Sequence, residues 1–343
     1  MRNVDVDGGN ILIFGDLHLS DVFTGKHKNY LSNCFDVMEQ LDKYVEDEKP
    51  SAIVLLGDIV GWTETNIRNR EVLSTFCKYF KKWNKNGAVK IFAVRGNHDI
   101  KGYPDFQLFA DLGFLTISSD CNGYFDYYGD NKEIPEIRFH LVDYKDEDKS
   151  LNIETTGGSN IVLAHNNFTI SGITNWYAEH DGIELGLLQN FSQVDMVISG
   201  HIHNPSPEIV GATMPGGKTC SLLYPGCPTR PIKDKNIYES CWAVKIAYNK
   251  DAQSTDILTL PMELAPVKEV FYGDDEFVTE KTEAEMQEEL RIEALQGVLG
   301  DLLKYRMNTG DPLEQVDRIP NASDEAKKMA KEYLLCAINC GGK

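Results

Sequence analysis

Five short motifs rich in histidine and aspartate punctuate this chain, and each stands at the end of a run of aliphatic, strand-forming residues. In order they are Asp16-Leu17-His18, Gly57-Asp58, Gly96-Asn97-His98-Asp99, His165 within Leu163-Ala164-His165-Asn166, and Gly200-His201-Ile202-His203. Five of the chain's eight histidines fall in them. A strand end fixes the backbone and leaves the next loop free, so layered sheets present functional side chains there. Strand ends that aim imidazoles and carboxylates at one place build a metal cluster. The bland alternative, satisfied core or surface histidines, would need five separate coincidences.

The residue types suit that chemistry. Two divalent cations about 3.5–4 Å apart need a shared carboxylate and a mixed nitrogen and oxygen shell. Asp58 is the bridging candidate, because it stands on a short turn after a glycine that lets the backbone bend tightly. Asp16, His18 and His203 would complete one ion's shell, and Asn97, His165 and His201 the other's. An extended His-x-His puts both rings on one side, whereas a loop turn would rotate one away. The division between the two ions therefore stays open, while membership of the cluster does not. A shell without thiolate suits Mn²⁺ first, with Fe²⁺, Zn²⁺ or Mg²⁺ as alternatives. Such a pair acidifies water and neutralises phosphoryl charge in the transition state. His98, adjacent to Asn97, is expected to point over the cluster as the general acid, with Asp99 holding its imidazole in the charged form.

The rest of the chain supports a sheet covered by helices. Runs at Ile11–Phe14, 53–56 and 91–94 read as buried strands, and helical patterns at 31–45 and 67–83 separate them. Later runs at Ile137–Val142, 161–163, 196–198, 221–223, 242–248 and 256–260 read as strands and are expected to form a second sheet. Two units are predicted, a main domain over 1–265 and an acidic helical tail over 266–343. The tail holds Thr282-Glu283-Ala284-Glu285, a capping-box pattern, and Ser323 can cap a second amphipathic helix.

Charge narrows the partners. With 34 Lys and Arg against 53 Asp and Glu, the formal net charge is −19. Bulk attraction cannot hold nucleic acid to such a chain, so local cations or a partner must do so. Residues 1–10 are polar and no apolar run reaches membrane length, which predicts a soluble cytoplasmic protein that does not bind membrane. The eight cysteines lack a Cys-x-x-Cys pair and are read as reduced, buried thiols.

The motif set D-x-H, G-D, G-N-H-D, H and G-H-x-H, in this order, resembles the calcineurin-like metallophosphoesterases over roughly residues 10–245. That resemblance implies an α/β class fold, a four-layer α/β/β/α sandwich with a dinuclear centre at its rim. Gly57-Asp58-Ile59-Val60-Gly61-Trp62 departs from the G-D-x-V-D-R-G of phosphoprotein phosphatases, although Arg95 is similar to the arginine of their R-G-N-H-E. The D-x-H-L start and the segment Leu223-Tyr224-Pro225-Gly226-Cys227-Pro228-Thr229-Arg230 resemble instead the SbcD family of DNA double-strand-break nucleases, which carries a Y-P-G-S turn there. This implies a DNA exo- or endonuclease in repair, recombination or degradation; the resemblance extends to phage-encoded homologues, which would act in the host cytoplasm. It implies further that residues 276–338 bind an SbcC-like coiled-coil ATPase; a homodimer is a further expectation. A phosphatase or cyclic-nucleotide phosphodiesterase of the same superfamily, and a non-catalytic scaffold that binds a partner through the tail, are the alternatives.

Phosphate contacts are expected from Lys26 and Lys28 after the first motif, Arg68 and Arg70 after the second, and Arg95 before the third. His27, His140 and His180 are read as structural. Lys78, Lys81, Lys82 and Lys85 are read as a solvated helix face, and Trp62 and Tyr103 as loop anchors.

Overall fold

In the computed structural model the described residues are 5–20, 27–61, 70–84, 88–101, 109–111, 113–129, 133–144, 153, 155–156, 158–170, 182–188, 191–206, 209–231, 240–249 and 254–270, with 316, 324, 327–328 and 330–331 in the tail. After the short strand β1 (Val6–Asp7), three strands alternate with two helices: β2 (Ile11–Phe14), α1 (Tyr30–Glu48), β3 (Ala52–Leu55), α2 (Arg70–Asn84) and β4 (Lys90–Ala93). Each of these three strands is buried on both faces, which is why the sequence reads there as unbroken aliphatic runs rather than alternation. α1 buries Cys34, Val37, Met38, Leu41 and Val45 at helical spacing and ends where Lys49 turns left-handed, its N–H returning to the Val45 carbonyl.

A one-turn helix α3 (Asn97–Lys101) follows β4, and then β5 (Thr116–Ile117), β6 (Tyr124–Tyr128), β7 (Ile137–Val142) and β8 (Ser159–His165). The pair β9 (Phe168–Thr169) and β10 (Ile183–Glu184) precedes β11 (Met196–Gly200), β12 (Val210–Thr213), β13 (Thr219–Leu223), β14 (Ser240–Asn249), β15 (Ser254–Glu263) and α4 (Val267–Val270). Six strands form one sheet in the order β15-β14-β2-β3-β4-β5, and seven form another, β1-β6-β7-β8-β11-β13-β12.

Side-chain alternation splits the first sheet between two cores. Leu12, Phe14, Ile53, Leu55, Ile91 and Ala93 face α1 and α2, where Phe76, Phe80 and Trp83 fill the gap. Ile11, Ile13, Val54 and Phe92 face the second sheet and meet Phe125, Phe139, Ile161, Leu163, Met196 and Ile198. Phe92 stacks on Phe125 with centroids 3.8 Å apart. Burying one such side chain contributes about 1.5–3 kcal/mol, and a one-residue slip would exchange the two faces. The far face of the second sheet is covered by Phe168, Leu185, Phe191 and Val194, carried among the described residues by the short strand β9 and by 3₁₀ and irregular segments rather than a long helix.

One strand assignment is corrected. β14 and β15 were expected in the second sheet, but β14 pairs antiparallel with β2 and completes the first. Cys241 and Ala243 face the helical core while Val244 and Ile246 face the inter-sheet core, so β14 must lie between two strands of the sheet that separates those cores. Val270 of α4 packs into the helical core and accepts the Lys28 N–H at 2.9 Å. In the tail, Ala330 is buried and Lys328 exposed on helical backbone, and most of the proposed 276–338 segment lies outside the described residues. Among the described residues six cysteines are buried outside any disulfide, and no described helix is long and apolar enough to cross a membrane. Lys78, Lys81 and Lys82 are exposed, Lys82 pairing with Asp42 and Glu46 of α1.

Candidate metal centre

Sheet register gathers the five motifs at one edge. Phe14 pairs with Leu55 and Leu55 with Ala93, so the loops after β2, β3 and β4 leave the first sheet flush. Gly200 pairs with His165, which does the same for β11 and β8 in the second. The loops then turn sharply. His18, Asp58 and His201 have φ of 44°, 45° and 80°, a left-handed conformation that costs a non-glycine residue about 1–2 kcal/mol. Tertiary contacts hold it: His18 N–H donates to Asp58 O at 2.7 Å, Leu19 N–H to Ile59 O at 3.0 Å, and Tyr30 Oη–H to His18 O at 2.7 Å. His201 N–H donates to Asp16 Oδ2 at 2.8 Å. Two glycines allow the crowding. A Cβ on Gly96 would run into Asp58 Oδ1 and its amide, and one on Gly200 into Asp16 Oδ1 and, at 2.6 Å, Leu56 O.

The side chains converge. Asp58 Oδ2 lies 3.3 Å from His165 Nε2, 3.7 Å from His18 Nε2 and 3.8 Å from His98 Nε2, so one carboxylate oxygen faces three imidazoles. On one side His18 Nε2 faces His203 Nε2 at 2.9 Å. Asp16 Oδ2 is 3.9 Å from the same nitrogen of His203. On the other side His165 Nε2 and His201 Nδ1 both point at Asn97 Oδ1, each 3.2 Å away. His165 Nδ1–H donates to Leu56 O at 2.7 Å, which turns Nε2 inward, where a cation would take the place of its proton. Asp16, His18, Asp58, Asn97, His165, His201 and His203 are thus assembled in one place, grouped about Asp58 as the motif chemistry suggests.

The electrostatics call for a cation. Asp16, Asp58 and Asp99 are all at most 2% exposed. Burial, reinforced by Asp58 and Asp99, lifts Asp16 to about 8 against the pull of His165. Burial opposes charge on His165, yet Asp58 and Asp16 outweigh it and lift that imidazole to about 10. Burial also raises Asp58, but His165, His18 and His98 overcome it and hold the carboxyl below the ordinary carboxylate range. His18, desolvated and beside other imidazoles, is held well below its usual range, and its Nδ1 is buried with no partner. Inward-facing nitrogens around buried carboxylates fit divalent cations: the ligand atoms of Asp16, Asp58 and His165 lie within 4.8 Å of one another, as do those of His18, Asp58 and His98.

The flanking residues divide differently from expectation. His98 lies at the mouth: its side chain is 19% exposed, where those of His18 and His165 are at 0%, and its ring meets His18 edge-on at 5.3 Å. Its N–H donates to Asp58 Oδ1 at 2.9 Å. Asp99 does not have the expected role of holding the His98 ring. Its Oδ1 accepts Ile59 N–H at 3.1 Å and Val60 N–H at 3.4 Å, and its Oδ2 accepts Gly96 N–H at 2.9 Å. It is a strut between the second and third motif loops. Arg95 donates from both Nε and Nη2 to Asp143 Oδ2, at 2.9 and 2.6 Å, and its side chain stays partly exposed. Lys28 is exposed before α1; Lys26 and Arg68, the side chain of Arg70, and Trp62, Tyr103 and His180 lie outside the described residues. His27 and His140 are structural as expected: His27 Nε2 bonds Arg230 O at 3.1 Å and His140 Nε2 bonds Asn160 Oδ1 at 3.3 Å.

Two neighbours went unread in the sequence. Tyr144, two residues beyond β7, sets its ring 5.3 Å from His201 and 6.1 Å from His165. Cys227 brings its thiol into a cluster with His18 and His203. Its one sequence signal is that it replaces the serine of the Y-P-G-S turn.

No curated protein sequence matches the chain. Solved structures of similar shape include a dimetal phosphatase from Danio rerio, at 13% identity and TM-score 0.43, covering 75% of this chain and 99% of its own. TT1561 of Thermus thermophilus is similar at 10% identity and TM-score 0.42, covering 74% and 99%. The calcineurin-like phosphoesterase YfkN of Bacillus subtilis is similar at 14% identity and TM-score 0.40, covering 84% and 97%. The family model of the calcineurin-like phosphoesterases matches residues 9–205, more than half of the 343 residues and all five motifs up to His203. The chain belongs to the calcineurin-like phosphoesterase family.

Proposed function

We propose that this phosphoesterase is a phosphodiester hydrolase acting on DNA, the nuclease subunit of an SbcC–SbcD-like complex whose ATPase partner docks on the tail over 276–338. The observation that supports this reading is the place of the Tyr224-Pro225-Gly226 turn, which carries the nuclease resemblance. The Gly226 carbonyl abuts Gly15, Cys227 N–H donates to His203 O at 3.0 Å, and Thr229 Oγ1 donates to Leu17 O at 2.8 Å. The turn therefore packs against the loops that carry His18 and His203.

Bound divalent cations would supply Lewis-acid polarisation and charge neutralisation for a phosphoryl group. The chain's own residues do the rest. Asp58 and the inward nitrogens would hold the ions. His98, the partly exposed imidazole at the mouth, is placed to give its proton to the departing sugar oxygen.

Metal-loaded protein is assayed on linear, circular and single-stranded DNA, on a nitrophenyl phosphodiester and on nucleotides, with Mn²⁺, Mg²⁺ or Zn²⁺. DNA cleavage that weakens without the ATPase partner is the expected result. Cleavage of the nitrophenyl diester or a cyclic nucleotide with every DNA form inert would refute the nuclease reading and leave a small-molecule phosphodiesterase. A loaded protein inert on all substrates would leave the scaffold.

A further inference from the structure

We propose that Cys227 is a sulfur ligand of the ion held by His18 and His203, so that this position takes a thiophilic cation, Zn²⁺ or Fe²⁺, in preference to Mn²⁺ or Mg²⁺. The proposal rests on the reading of the cluster as a metal centre and deepens it. The ligand atoms of Cys227, His18 and His203 all lie within 4.8 Å of one another. Bond lengths of about 2.0 Å to nitrogen and 2.3 Å to sulfur set the ligands of one ion about 3–4.5 Å apart, so this trio is spaced as a shell. Cys34, Cys77, Cys121, Cys220 and Cys241 are also buried, and none of them enters such a group among the described residues.

A second observation points to an ion at the same place. The imidazole of His18 is fully buried, and its Nε2 faces the Nε2 of His203 at 2.9 Å, two ring nitrogens meeting in one spot. A cation accepts from both. The thiol is also held by backbone rather than by chance of a loop. Gly226, at φ 84°, turns the chain so that Cys227 N–H reaches His203 O at 3.0 Å. Thr229, on the other side, ties the turn to Leu17 O, next to His18, at 2.8 Å. In the structure Sγ–H donates to Thr229 O at 3.3 Å. On coordination the thiol proton leaves to water and the sulfur lone pair turns to the ion. Sulfur beside two imidazoles selects Zn²⁺ or Fe²⁺, whereas Asn97, His165, His201 and Asp58 present only nitrogen and oxygen to the second ion.

The full-length protein, freed of metal, is titrated with Co²⁺ and its spectrum recorded. Visible ligand-field bands report occupancy, and a near-ultraviolet sulfur-to-cobalt band reports the thiolate. We expect the charge-transfer band in the wild type, its loss in Cys227→Ser with the visible bands kept, and its retention when Cys336 and Cys340 are both changed to Ser. Zn²⁺ affinity should fall at least about tenfold in Cys227→Ser, on the scale that metal-shell substitutions cost, with Mn²⁺ affinity changed less than about threefold. Visible bands without a charge-transfer band in the wild type would overturn the sulfur ligand and leave the metal centre standing. Absence of all bands would overturn both. Should the serine variant misfold, Cys227→Ala gives the same comparison, and the wild-type spectrum alone remains decisive.

Discussion

Replacing Asp99 separates a strut from a catalytic helper. Its carboxylate is 2% exposed and accepts three backbone amides, from Ile59, Val60 and Gly96. Asp99→Ala removes every acceptor and strands those N–H groups in a space too buried for free hydration. At about 1–3 kcal/mol for each unsatisfied donor, and with the 3.4 Å contact of Val60 counted as weak, the cost is about 3–5 kcal/mol. Asp99→Asn keeps one oxygen but turns an NH₂ toward an amide N–H, so it should cost about 1–3 kcal/mol. Urea unfolding followed by far-ultraviolet circular dichroism measures both. Because the loops tied by Asp99 carry Asp58 and Asn97, both variants should also bind metal more weakly. Had Asp99 served instead to hold the His98 imidazole, Asp99→Asn would move a limb of the pH–rate profile and leave stability intact. An Asp99→Ala protein within about 0.5 kcal/mol of wild type, the range of an ordinary surface substitution, would refute the strut.

Gly96→Ala should displace Asp58, since the new Cβ would meet the Asp58 carboxyl carbon at 2.7 Å; a loss of about 1–3 kcal/mol and of metal binding is expected, read by urea unfolding and metal titration, and a fully loaded, stable variant would contradict it. His98→Ala should retain both ions and lose about 10²–10⁴-fold in turnover of DNA, far less on a nitrophenyl diester whose leaving group needs no proton; equal losses on the two substrates would remove the general-acid role. Metal-free protein should lose stability as pH rises from 7 to 9.5. Asp16, lifted to about 8, and His165, lifted to about 10, hold protons in the folded state that the unfolded chain has released, and the stability they contribute disappears as pH passes through those values. Unfolding midpoints in chelator that stay level or rise over that interval would show that the buried carboxylates do not govern it.

Membership of the centre was legible in the sequence, and its surroundings were not. Asp16, His18, Asp58, Asn97, His165, His201 and His203 stand at strand ends, and strand ends are written locally: β2, β3, β4, β8 and β11 are aliphatic runs that stop at motif residues. Parallel register then carries the loops to one edge without further instruction. Three decisions were made elsewhere. Asp99 was read with its chain neighbour His98, but its partners include Ile59 and Val60 from a loop 39–40 residues earlier. Arg95 has its charge taken up by Asp143, 48 residues away at the end of β7. Cys227 reaches His18 and His203 only through the turn after β13. Likewise, β14 reads as a strand from its residues alone, yet which sheet it joins depended on which cores its two faces could fill. Backbone habit and hydrophobic period act over a few residues, so they determine elements and where those elements end. Which charged or polar group a side chain meets is set by the packing order of distant segments, and only the folded chain decides that.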